Sequence, residues 1–366
     1  MSSARHSRFV SRGTTRWCIF LAALVAMGVG TTLVAFATNK PRTTSQTLFS
    51  DCCKGHTDAK LVNPWGLAFG PDTPAWVADN GTGFSTLYTG TSRKNATKVP
   101  LNVSIPGGSP TGTVYNGSNA FRISAGGKSG PANFIFDSES GRITAWSQNV
   151  PPLTQAQTVV TVPDAIFKGL AIAHTEQGKA RLYATDFFHG RVAVFDGKFN
   201  RVHHKGAFRD PRIPDKYAPF GIENLHGKIL VTYAKQDANA EDDVPGAHHG
   251  YVDVYSTGGE LIKRLISRRP LNSPWGIALT PRHWPNAARK LLVGNFGDGR
   301  INIFNPRTGK YLDTLRNKRG IVFSQEGLWA LKFGNGVIGT KRTLLLTAGP
   351  DDEKSGVLVA LRPYNP

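Results

Sequence analysis

Apolar runs of about five residues, each bounded by turn residues, recur along this chain in groups that repeat roughly every fifty positions. Within a group, a glycine-led apolar run is followed by a second run ending in Asp, Asn or Gly, and then by a Gly-flanked third. The clearest first runs are Asn63-Pro-Trp-Gly-Leu-Ala-Phe69, Phe167-Lys-Gly-Leu-Ala-Ile172, Ala218-Pro-Phe-Gly-Ile222, Ser273-Pro-Trp-Gly-Ile-Ala-Leu279 and Glu326-Gly-Leu-Trp-Ala-Leu331. The glycines at 169, 221, 276 and 327 are 52, 55 and 51 residues apart, and Gly66 precedes Gly169 by 103, which leaves room for one weaker copy near Asn119. Third runs such as Tyr251-Val-Asp-Val-Tyr255 and Arg300-Ile-Asn-Ile-Phe304 alternate apolar and polar residues, as a strand packed on one face requires.

Six repeats of a few short strands, none able to bury its apolar face alone, predict an all-β, six-bladed β-propeller of four-stranded antiparallel blades. Strand A is innermost and strand D outermost. The second copy is expected to run through 121–123, 132–136, 142–146 and 158–162. The sixth lacks an outer strand, and Gln46-Thr-Leu-Phe-Ser50 stands at the right distance before Gly66 to supply it. The opening segment then closes the ring by pairing an otherwise open edge.

Two regions follow, residues 1–44 and the ring at 45–366. Residues 1–16 carry Arg5, Arg8, Arg12 and Arg16 with no acid, and residues 17–38 carry no charge. This predicts export: a signal-anchor helix reaching the membrane if uncleaved, or a signal peptide cut after Ala35-Phe36-Ala37. Either outcome places the ring outside the cytoplasm. Cys52 and Cys53 are sequence neighbours, which seldom bridge to each other, so the ring is expected to rest on its core and not on a disulfide framework. The net charge is +19, and removing the four N-terminal arginines leaves +15. Such a surface attracts polyanions, but the basic runs lack the interleaved aromatics that stack bases, so no nucleic acid partner is expected. The ring is read as a monomer.

In this topology the D-to-A links and the B–C turns share one face. Those turns hold twelve of the 25 acidic residues. The candidate ligand-binding face comprises Asn63, Trp65, Asp79, Asn80, Asp186, Lys235, Trp275, Asn295, Asp351 and Asp352. Asp, Asn and Gly are also what tight hairpins require for their own sake. The long fourth B–C loop offers Asp237, Asn239, Glu241, Asp242 and Asp243, oxygen donors of the kind Ca²⁺ takes from a flexible loop. Trp65, Trp275 and Trp329 recur on A strands, where packing between blades wants bulk. No H-E-x-x-H, G-x-S-x-G or P-loop occurs, and Gly334-Asn-Gly-Val-Ile-Gly339 matches G-x-G-x-x-G only as a link between strands.

The strings Trp76-Val-Ala-Asp-Asn-Gly-Thr-Gly83, Tyr217-Ala-Pro-Phe-Gly-Ile222, Val231-Thr-Tyr-Ala-Lys-Gln-Asp237 and Leu292-Val-Gly-Asn-Phe-Gly-Asp-Gly-Arg-Ile-Asn302 resemble an uncharacterised family of exported bacterial propellers related to the NHL and YVTN repeat proteins. The resemblance covers residues 45–364 and implies fold and export without an assigned activity. Two functions stay open. One is a binding platform for a macromolecule or cell-envelope component, using the B–C face. The other is a Ca²⁺-dependent lactonase- or esterase-like hydrolase, by analogy with six-bladed rings that hold calcium in the channel. Asn80, Asp186, Asn295 and Asp351 would then approach the ion, with Lys235 or His189 moving a proton.

Overall fold

The structure, a computed structural model, describes residues 40–203 and 205–364. It is a six-bladed ring of four-stranded antiparallel blades. In order A to D, blade 1 is Pro64–Ala68, Ala75–Asp79, Phe84–Thr89 and Thr97–Ser104. Blade 2 is Pro110–Tyr115, Phe134–Ser138, Arg142–Trp146 and Gln157–Thr161. Blade 3 is Phe167–His174, Ala180–Asp186, Arg191–Asp196 and the short Arg201–Val202. Blade 4 is Tyr217–Leu225, Lys228–Lys235, Tyr251–Tyr255 and Leu261–Ser267. Blade 5 is Pro274–Leu279, Leu291–Asn295, Ile301–Phe304 and Tyr311–Thr314. Blade 6 is Leu328–Phe333, Leu344–Ala348, Val357–Pro363 and, as its outer strand, Arg42–Ser50.

The N-terminal strand thus closes the ring. Thr43 pairs with Pro363 and Ser50 with Val357, antiparallel, with one bulge between Thr47 and Phe49. Leu48 and Phe49 are fully buried, so the closing strand contributes core as well as hydrogen bonds. The predicted signal or anchor segment lies outside the described residues. Among the described residues no helix is long and apolar enough to cross a membrane.

Blades pack face to face, so each apolar layer is shared by neighbours. Trp76 of blade 1 stacks on Phe134 of blade 2 at 4.2 Å between ring centroids, within a cluster that also takes Leu87, Phe136 and Trp146. At the inner edge the A strands approach so closely that side chains are excluded. A Cβ on Gly66 would sit 2.5 Å from the Thr111 carbonyl oxygen, on Gly221 2.2 Å from that of Trp275, and on Gly276 2.4 Å from that of Trp329. The repeated glycine is therefore a clearance between blades, not a turn signal.

Strand register corrects two expectations. The second A strand is Pro110–Tyr115, not 121–123. Its repeat glycine is Gly112, and threonines at 111 and 113 replace the apolar residues that mark the other copies. Phe121–Ile123 is apolar, but it leads into an inserted hairpin, Arg122–Ala125 with Lys128–Pro131, and Phe121 is buried between blades 2 and 3. In blade 6 the skipped pairing between Leu328 and Leu331 matches that between Pro64 and Leu67, so the equivalent of Gly66 is Ala330 and not Gly327. Gly327 instead occupies a left-handed turn at φ 64° against the Gly349 carbonyl.

Candidate functional site

The residue just before the repeat glycine of each A strand, or before Ala330 in blade 6, faces the ring axis: Trp65, Thr111, Lys168, Phe220, Trp275 and Trp329. Contacts between blades that are not neighbours establish this. Trp65 meets Trp275 edge-on at 6.4 Å, Phe220 meets Trp329 at 5.9 Å, and the Trp275 indole donates to the Lys168 carbonyl oxygen at 2.8 Å. Trp65 and Trp329 stack at 3.5 Å, and Phe296 covers Trp329 from the B–C turn of blade 5. With Phe187 they form one aromatic cluster that plugs the channel. The tryptophans expected to pack between blades fill the axis instead, because the residue before the repeat glycine, or before Ala330 in blade 6, faces inward.

Above the plug, on the B–C face, one hydrogen-bonded network crosses five blades. Lys168 Nζ donates to Glu139 at 2.6 Å and to Asp242 at 2.9 Å. Asn80 donates to the other Glu139 oxygen at 3.0 Å, and Asn63 donates to Asn80 and, at 3.1 Å, to Glu353. The Trp329 indole donates to Asn63 at 3.1 Å, which ties the network to the plug. The Lys168 side chain is 2% exposed, whereas Asp242 is 75% exposed. Burial disfavours the ammonium charge, but the two carboxylates outweigh it and hold the pKa above the ordinary lysine value. Lys168 also lies 5.3 Å from the Trp65 ring centroid.

Two further carboxyls flank this centre in protonation states set by their surroundings. Burial pushes Asp243 up to about 6. Burial, with the Glu139 charge nearby, pushes Glu353 up to about 7. Asp243 Oδ2 is buried without a hydrogen-bond partner. Asp351, Asp352 and Glu353 all take left-handed backbone, at φ 62°, 50° and 64°. Aspartate tolerates that region better than glutamate, and Glu353, the glutamate of the three, accepts from Asn63.

The face expected from sequence is only partly a face. Asn63 and Asn80 belong to the network, Trp65 and Trp275 to the plug, and Asp351 and Asp352 are exposed on its rim. Asp79, Asp186 and Asn295 are instead completely buried. They end B strands, where the chain turns inside the blade. Asp186 accepts from Arg191 Nε at 2.9 Å and contacts His189, and Asn295 donates to the Pro270 carbonyl oxygen and to Asp298. Both Asp79 oxygens are buried without partners, and burial raises its pKa well above the usual carboxylate range. Lys235 ends its B strand and is not part of the network.

The fourth B–C loop does not gather its oxygens. Asp237 Oδ1 accepts from the Glu241 backbone N–H and braces the loop, Asp242 turns to Lys168, and Asp243 turns inward. Among the described residues no group of three or more His, Cys, Asp or Glu is placed to hold a metal ion. Lys168, Glu139 and Glu353 were missed as site residues. The available signal was Lys168 itself, the one charged residue at a position that is elsewhere Trp, Phe or Thr.

No protein-family model matches the chain. Two proteins of Acanthamoeba polyphaga mimivirus are similar to it. Uncharacterized protein R648 is 32% identical over 286 residues, covering 75% of this chain and 69% of its own length. Uncharacterized protein L690 is 33% identical over 289 residues, covering 75% and 74%. A solved structure of a protein of unknown function from Bacteroides thetaiotaomicron covers 88% of this chain and 77% of its own, with a TM-score of 0.54 at 11% identity, a likeness of fold alone. The similarity in sequence is to viral proteins and carries neither a bacterial origin nor export.

Proposed function

The chain belongs to the family of the mimivirus proteins R648 and L690, and from that premise we propose that this propeller is a rigid, non-catalytic binding platform whose partner docks on the B–C face. The observation that carries the reading is the network around Lys168, which links five blades over a plugged axis. Such a surface is a preorganised floor and not a passage. Its rim presents Asp242, Asp351 and Asp352 to solvent, while its centre is already neutralised by Lys168. A cationic group of a macromolecule or cell-envelope component suits that rim. Location outside the cytoplasm, a monomeric ring and an anchor or signal at residues 17–38 remain part of the proposal.

Calcium-dependent hydrolysis fits these residues poorly. A channel ion would have to displace the Lys168 ammonium from the carboxylates that hold it, and the aromatic plug lies directly beneath. The test uses an oligolysine peptide as probe, titrated by calorimetry at low salt. Binding should be lost when Asp242, Asp351 and Asp352 are changed together to Asn, with unfolding still cooperative but at a lower temperature, because Asp242→Asn leaves the buried Lys168 ammonium with one carboxylate. Undiminished binding by that triple variant would refute the acidic-rim reading, and stoichiometric calcium binding by the unaltered ring would revive the hydrolase.

A further inference from the structure

The opposite face, formed by A–B and C–D turns, carries a second surface of different character. Six large hydrophobic side chains are notably exposed among the described residues, and three of them, Ile262 at 47%, Tyr311 at 44% and Leu312 at 42%, stand on the outer strands of neighbouring blades. They begin the outermost strands of adjacent blades 4 and 5, directly after the C–D turns, so they stand at the same edge of the disc. Lys263 Nζ donates to the Arg307 carbonyl oxygen, which joins the two strand ends. A cavity of about 1040 Å³ that reaches Arg307 is lined by His226, Arg282, Arg289 and Lys290, and also by the Glu223–Lys332 pair.

Charge at this edge is not compensated. Lys263, Arg282, Arg289, Lys290, Arg307 and Lys310 form no ion pair among the described residues. The nearby acids are few: Glu223 is paired with Lys332, Asp313 with Arg316, and Glu260 alone is unpaired. Arg264, on the same strand as Lys263, is by contrast held by Asp210. Six unneutralised cations beside a patch of exposed Ile, Leu and Tyr cost the isolated ring both self-repulsion and apolar exposure, which is the pattern of an interaction surface.

We propose that this edge of blades 4 and 5 docks onto an anionic lipid bilayer. Charge alone would suit any polyanion, but a soluble polyanion offers nothing to Ile262 and Leu312. A bilayer interface satisfies both: the acyl boundary takes the aliphatic side chains, tyrosine suits the headgroup level, and the lysines and arginines meet lipid phosphate and carboxylate. The edge docks in the plane of the membrane surface and leaves the Lys168 face pointing away from it, free for its own partner.

The experiment is hydrogen exchange by mass spectrometry on the full chain, with phosphatidylcholine vesicles, with vesicles that also contain phosphatidylserine, and with inositol hexaphosphate as a soluble polyanion. Slowed exchange in residues 261–264 and 305–312, specific to the phosphatidylserine vesicles, is the expected result. Localising the protection separates this edge from any lipid contact of residues 1–39. Two exposed-site variants complete the test, one with Lys263, Arg289, Arg307 and Lys310 changed to Gln, the other with Ile262→Ser and Leu312→Ser. Each should lose that protection and weaken vesicle sedimentation at least tenfold, with unchanged melting. Protection confined to other segments overturns the proposal. So does equal protection by inositol hexaphosphate that survives the Ile262→Ser, Leu312→Ser pair, since the surface would then bind polyanions and not a bilayer.

Discussion

Gly221 and Trp275 lie in the inner strands of adjacent blades, and a Cβ on Gly221 would stand 2.2 Å from the Trp275 carbonyl oxygen. Backbone cannot retreat there, because each A strand is wedged between two others around a closed ring. Gly221→Ala should therefore destabilise the ring by about 3 kcal/mol. Ala330, the equivalent residue in blade 6, already carries a methyl group, and Ala330→Gly should cost only about 1 kcal/mol. Urea unfolding midpoints compare the two; equal losses would contradict the clearance argument.

Trp329 stacks on Trp65, is covered by Phe296, and holds Asn63 through its indole N–H. It is 1% exposed. Trp329→Ala should cost about 4 kcal/mol, and the adjacent network should loosen with it. Trp329→Phe keeps most of the stacking and loses the hydrogen bond, so its deficit should be less than half as large. Chemical denaturation of both variants measures the difference.

Ring closure depends on the strand Arg42–Ser50. Removing residues 1–50 strips the edge of Val357–Pro363 and uncovers the pocket that Leu48 and Phe49 fill. That variant should lose cooperative melting and aggregate, whereas one lacking only residues 1–38 should melt as the full ring does. Calorimetry with light scattering distinguishes them.

Stability should fall as pH rises from about 4 to about 7. Burial pushes Asp137 up to about 7, Glu353 up to about 7 and Asp243 up to about 6, so the folded ring binds protons that the unfolded chain has released. Stability from these groups is complete below the unfolded pKa and is lost as each folded value is passed. Asp58, Asp196 and Asp210 are shifted down, despite some burial, by hydrogen bonds and neighbouring cations, and they add a separate loss at more acid pH. Melting temperature should peak near pH 4 to 5, and the Asp243→Asn, Glu353→Gln pair should flatten the fall toward pH 7. An unchanged slope in that pair would contradict the assignment.

The two ends of the Lys168–Glu139 contact should not be equivalent. Glu139→Gln leaves a buried ammonium with one carboxylate and should cost about 2 kcal/mol. Lys168→Met leaves carboxylates that reach water, Glu139 being 28% and Asp242 75% exposed, and should cost less. A larger loss for Lys168→Met in thermal unfolding would mean that the ammonium is a net stabiliser of the mouth.

The ring, its blade count and its closure were legible because glycine spacing and strand alternation are local and repeat. The second A strand was not, since Thr111 and Thr113 fill positions that are apolar elsewhere and an inserted hairpin supplied a more hydrophobic decoy. The site was legible at its edges: Asn63, Asn80, Asp242 and Asp243 were singled out, although Lys168, the partner of Asp242, was not. Asp79, Asp186 and Asn295 showed the limit of composition, because a turn carboxylate at a strand end reads the same whether it faces solvent or the blade interior.

Strand periodicity alone determined what this chain builds, since a short strand must hide one face and fifty-residue units can do so only against one another. Which residues share a mouth was decided by closure into a ring. That step brings Trp329 onto Trp65 and lets Lys168 of blade 3 reach carboxylates from blades 2 and 4, across 29 and 74 residues of sequence. Charges that far apart in the chain meet only when the axis forms, and their burial there, not their identity, sets how they are protonated and paired.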